Sequence, residues 1–123
     1  MAAPNLAGVT TITGKVTGSE DLSTTTTTSI LACPTNKVCK INTIIAANID
    51  GTSSADVTVG VYDASADVTY FLASTVAVAA DTTVVVLTKE SAIYLEESDE
   101  IRAGASATGD ISLLISYEEI GDA

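Results

Sequence analysis

The sequence predicts an all-β fold: an antiparallel β-sandwich of about eight strands, jelly-roll-like, with an extended N-terminal arm. Three observations carry the prediction. From residue 29 onward, short apolar runs recur about every 8–12 residues and are separated by turn-forming residues. Within the runs apolar and polar residues alternate, as in Val57-Thr58-Val59-Gly60-Val61-Tyr62, so each sheet has one packed and one wet face, and the pairing is mainly antiparallel. No segment spaces its apolar residues for a helix.

Composition agrees. The 123 residues make one domain that can bury a core without staples. Hydrophobic residues are 46% of the chain, but aromatics are 4% and Trp is absent. The core is therefore built from Val, Ile, Leu and Ala, which suit a pleated sheet.

Residues 1–28 differ from the rest. They are rich in Thr, Gly, Ser and Ala, with isolated apolar positions at Leu6, Val9, Ile12 and Val16 and an unbroken Thr run over 24–28. Thr favours extended backbone. Two readings stand: a first strand over about 9–16 followed by a Thr-rich loop, or an arm that orders on a neighbour.

Residues 29–123 form the sandwich domain. A short strand over 29–33 ends in the turn Pro34-Thr35-Asn36. A long strand follows over 38–49, with Cys39, Ile41, Thr43, Ile45, Ala47 and Ile49 inward and Lys40, Asn42 and Asn48 outward. Asp50-Gly51 opens a turn. Residues 56–62 alternate strictly, with Val57, Val59 and Val61 on one face. After a turn over 63–67, a strand over 68–73 carries Tyr70, Phe71 and Leu72, and 75–79 continues as strand or loop. Ala80-Asp81 turns the chain into a strand over 83–88. Its unbroken run Val84-Val85-Val86-Leu87 implies burial on both faces or an interface. A short strand over 92–95, a turn over 96–99 and a strand over 100–105 follow, with Ile101 inward and Arg102 outward. Thr108-Gly109-Asp110 leads into the last strand, where Ile111, Leu113, Ile115 and Tyr117 share a face.

Charge and residue type exclude several functions. Five basic residues face 16 acidic ones, for a net charge of −11. Such a field repels a phosphate backbone and an anionic membrane surface, so neither nucleic acid nor membrane is an expected partner. No apolar run approaches the roughly 20 residues that span a bilayer. The first residues lack the basic start and apolar core of a secretory signal, so synthesis in the cytoplasm is expected. The absence of His removes the commonest general base, the Ser–His and Cys–His nucleophile pairs, and imidazole metal ligands.

The carboxylates offer little in their place. Glu96, Glu97, Asp99 and Glu100 crowd one turn, but their spacing matches no Ca²⁺ loop, and a solvated acidic turn accounts for them. Glu118 and Glu119 are adjacent on a strand and point to opposite faces, so they cannot converge on one glycosidic bond. No enzyme activity, cofactor or metal site is expected. Cys33 and Cys39 face each other across a hairpin if the loop holds three residues, which permits a disulfide. A loop of four sends the sulfurs to opposite faces, and two small buried free thiols are the plainer alternative.

The order of these elements resembles small virion proteins of tailed bacteriophages. The strand and turn Thr28-Ser29-Ile30-Leu31-Ala32-Cys33-Pro34 leads into Lys37-Val38-Cys39-Lys40-Ile41, the strand end Ala47-Asn48 and the Val-rich strand of residues 57–62. The most specific part runs from Ile93-Tyr94-Leu95-Glu96-Glu97-Ser98-Asp99-Glu100-Ile101-Arg102 through Ala107-Thr108-Gly109-Asp110 to Ile115-Ser116-Tyr117-Glu118-Glu119-Ile120. The similarity spans residues 28–120 and none of the first 28. Family members usually carry Gly where this chain has Ser98, which speaks against a positive φ there.

The resemblance implies a non-enzymatic structural role in the virion. The nearest counterpart is a capsid decoration (cement) protein on the capsid surface, jelly-roll and homotrimeric, bound to the major capsid protein or another virion protein. A neck, tail or fibre-associated protein and a glycan-binding β-sandwich displayed on the particle are the alternatives. Leu6, Val9, Ile12 and Val16, with Tyr62 and Tyr94 on outward strand faces, are the candidate interface residues.

Overall fold

The structure is a computed structural model that describes residues 6–24 and 28–121. The middle of the Thr run and the first five residues lie outside the described residues. Nine strands form among the described residues: β1 (Thr11–Ser19), β2 (Thr28–Ala32), β3 (Lys37–Asn48), β4 (Ala55–Asp63), β5 (Val68–Val78), β6 (Thr83–Leu87), β7 (Ile93–Leu95), β8 (Glu100–Ala105) and β9 (Ile111–Gly121). They make a sandwich of two antiparallel sheets. Sheet I has the order β1-β9-β3-β6, with β7 also paired to β3, and sheet II has the order β2-β8-β4-β5.

β6 pairs with Ile44–Ala47 of β3 and β7 with Cys39–Ile41, so these two short strands share one edge position in tandem. Counted as one, they leave eight strands in jelly-roll order, four to a sheet. Only β4–β5 and β6–β7 stay within one sheet; every other connection crosses the sandwich.

The crossings bring distant apolar residues together. Ile41, Ile44, Leu95, Ile111 and Ile115 of sheet I meet Val57, Val59, Val78 and Ile101 of sheet II, all fully buried. Tyr117, at 8% exposure, is the only aromatic residue among the buried core side chains. Leu22, from the β1–β2 connection, is also fully buried in this core. Of the first 28 residues, 11–19 pair with β9 from Thr11↔Gly121 to Ser19↔Leu113, and Leu22 is buried in the interior.

β3 departs from the predicted alternation. Cys39 and Ile41 point inward as expected, but the pairing with β9 shifts between Ile41 and Thr43, which leaves Asn42 as an extra residue. Beyond this bulge the inward set is Ile44, Ala46 and Asn48, not Thr43, Ile45 and Ala47, and Ile49 is 52% exposed. One inserted residue shifts a period-2 pattern by one face. Asn48, expected outside, is buried with its polar atoms satisfied. Its Nδ2 donates to the carbonyls of Ser53 and Val78, both at 2.9 Å, and its Oδ1 accepts the Asp50 amide at 2.8 Å.

Two further differences concern backbone conformation. β5 is one continuous strand through residue 78; it accommodates register shifts and a left-handed Thr75 (φ 47°), whose amide bonds to Thr58 Oγ1 at 2.9 Å. Ser98 has φ 71°, so the turn keeps its positive φ without glycine. The run in β6 is an edge strand, not a strand buried on both faces: Leu87 is buried and Val85 is 52% exposed.

Candidate interaction surface

β1 is amphipathic in the unexpected direction. Residues directly paired across an antiparallel ladder share a face. Lys15 pairs with buried Tyr117 and Thr17 with buried Ile115, so Thr11, Thr13, Lys15, Thr17 and Ser19 lie on the side of the sandwich interior. Ile12 and Val16 lie on the outer face of sheet I and are 61% and 62% exposed. A strand serving only its own core would place these residues the other way round. Lys15 Nζ meets Glu119 Oε2 at 3.2 Å, an exposed pair that contributes little to stability.

The register extends this outer face across the sheet. Leu114 of β9 pairs with Ile45 of β3, which pairs with Val85 of β6. Val16 stands in the row of Ser116 and Thr43, and Glu118 in the row of Lys40 and Tyr94. Val85 and Tyr94 are each 52% exposed and Leu114 46%. Half of the ten exposed large hydrophobics among the described residues thus sit on one face. Gly18 lets β1 approach β9 here, because a Cβ would run into the carbonyl oxygen of Leu113. Asn42 Nδ2 donates to Glu118 Oε1 at 3.1 Å, while its Oδ1 has no partner among the described residues.

The structure thus brings Ile12, Val16 and Tyr94 of the candidate interface onto one surface and adds Leu114, Val85 and Ile45. Ile45 was missed because only the bulge in β3 turns it outward; Leu114 is outward by the simple alternation of β9, and the register sets it beside Ile45 and Val85. Leu6 is 46% exposed in a single 3-10 turn, Leu6–Gly8, and Val9 is half-buried.

Tyr62 is on the opposite sheet and is already engaged. Its ring lies under the Arg102 guanidinium, 3.7 Å from the centroid, and its hydroxyl donates to Asp67 Oδ1 at 2.7 Å. That hydrogen bond holds the phenol above its ordinary pKa. Arg102 Nε also bonds Glu100 Oε1 at 2.8 Å.

The acidic turn is occupied by its own structure. Asp99, 8% exposed, accepts the Ala64 amide at 3.0 Å through one oxygen and the Glu96 amide at 3.1 Å through the other. Glu97 accepts the Asn36 amide at 2.8 Å, and Glu100 binds Arg102. Glu118 and Glu119 diverge, toward Asn42 and toward Lys15. Among the described residues no three His, Cys, Asp or Glu side chains come together as a metal site.

Cys33 and Cys39 do not flank a hairpin, because β2 and β3 belong to different sheets and residues 33–36 arch between them. Both are buried free thiols. The Cys33 thiol faces the carbonyls of Lys37 (3.3 Å) and Leu95 (3.5 Å). The Cys39 thiol is held far above its ordinary pKa by its hydrogen bond to Cys33 and by burial.

The chain matches no family model, no curated protein and no solved structure.

Proposed function

We propose that this protein is a non-enzymatic structural component of a tailed-phage virion, a decoration (cement) protein that sits as a homotrimer on the capsid surface and stabilises the head by binding between capsomers. The observation that carries this reading is the jelly-roll strand order joined to an apolar outer sheet face, on a chain whose sequence resembles small virion proteins of tailed phages. The carboxylates that an enzyme would need to converge are dispersed and bonded to turns, amides and cations of the chain itself.

The test is addition of the purified protein to heads that lack it. Saturable binding at fixed positions between capsomers, with a higher temperature of head disruption, is the expected result. Heads that neither bind the protein nor gain stability would reject the proposal. A second reading, a glycan-binding module displayed on the particle, is favoured by Tyr70, which stands 59% exposed on β5. It predicts saccharide binding that Tyr70→Ala weakens.

A further inference from the structure

The outer face of sheet I has a second property besides its apolar character: it is electrically neutral. The rows set by the register place two charged residues there, Lys40 and Glu118, and these are direct cross-strand partners of opposite sign. Among the described residues no other Asp or Glu falls in these outward strand rows, in a chain with net charge −11. The outer rows of sheet II carry the Glu100–Arg102 pair and, at the other end of β4, an unbalanced Asp56.

We infer that the outer face of sheet I is the surface through which copies of this chain associate, with Ile12, Val16, Val85, Tyr94 and Leu114 buried between copies. Two physical arguments select a second copy as the occupant. Each copy repels every other through its net charge, so the favourable approach is by the one face that carries no net charge. That face is also self-matching: apolar rows meet apolar rows, and Lys40 of one copy can lie against Glu118 of the next. The inverted polarity of β1 is the local signature, since Ile12 and Val16 are spent on a layer that its own sandwich does not supply.

The inference extends the function proposed above by naming the face through which its copies would meet. Its experiment needs no phage head, so failure here and failure there are separate results. The measurement is the mass of the full chain in solution by sedimentation equilibrium, across protein and salt concentrations. The variants are Val16→Lys and Leu114→Lys, with Phe71→Lys as an equally exposed control on the other sheet. All three make the chain less acidic by the same amount, so a difference between them reports the face and not the net charge. Circular dichroism and a cooperative melt establish that each is folded.

The expected result is a wild-type oligomer strengthened by salt, which screens the residual like-charge repulsion. Val16→Lys and Leu114→Lys weaken association by about a hundredfold, as charges placed in a desolvated contact do, and Phe71→Lys leaves it unchanged. A wild-type chain that stays monomeric throughout overturns the inference. So does an oligomer that salt dissolves, or one that Phe71→Lys disrupts as strongly as Val16→Lys.

Discussion

Ser98 holds a backbone conformation that its side chain disfavours. At φ 71° the Cβ of an L-residue crowds the carbonyl, at a cost of about 1 kcal/mol that glycine avoids. The turn imposes it: the Ser98 amide bonds the Cys33 carbonyl at 2.9 Å and the Asp99 amide bonds the Glu96 carbonyl at 3.1 Å. Ser98→Gly is therefore expected to stabilise the protein by about 0.5–1 kcal/mol, less the greater freedom of glycine when unfolded, read as a higher urea midpoint at unchanged slope. Asn48 is the reverse case, a polar side chain that the core requires. Asn48→Ala strands the Ser53 and Val78 carbonyls and the Asp50 amide, and a loss of about 2–3 kcal/mol is expected in the same measurement.

At the scale of elements, the bulge in β3 decides which half of the sequence pattern faces the core. Asn42 is the supernumerary residue; removing it leaves Ile41 and Ile44 both inward with one outward residue between them. Deletion of Asn42 is expected to preserve the fold at a cost of about 1–2 kcal/mol, the range of ordinary single changes. Deletion of Ile45 lies outside the bulge and brings Ala46 and Asn48 to the wrong face, so cooperative unfolding should be lost. Thermal melts followed by near-ultraviolet circular dichroism through Tyr117 compare the two. Equal effects of the two deletions would refute this account of β3.

For the whole molecule, β1 closes the structure as much as it decorates it. It pairs with β9 along its full length, although the two are separated by nearly the whole chain, and the β1–β2 connection supplies Leu22 to the core. Removing residues 1–22 would expose the edge of β9 and open a cavity where Leu22 sits. The truncated chain is expected to lose more than about 3 kcal/mol and to aggregate through the uncovered edge, seen by light scattering on mild heating.

The strand pattern was legible because period-2 alternation and turn residues are local properties. Val57, Val59 and Val61, or Ile111, Leu113, Ile115 and Tyr117, declare their faces within a few residues. The absence of His and the mainly aliphatic core were equally plain from composition. What the sequence could not state was where that alternation is interrupted, since Asn42 is no more unusual locally than Asn48. Nor could it state that Ile12 and Val16 point away from the sandwich, because their orientation depends on pairing with β9, about a hundred residues later. Sequence alone determined the fold class, most of the strands from residue 29 onward and the exclusion of His-based chemistry. Tertiary structure decided which apolar residues form the core and which form a surface, because a strand has two faces and only its register against distant partners chooses between them.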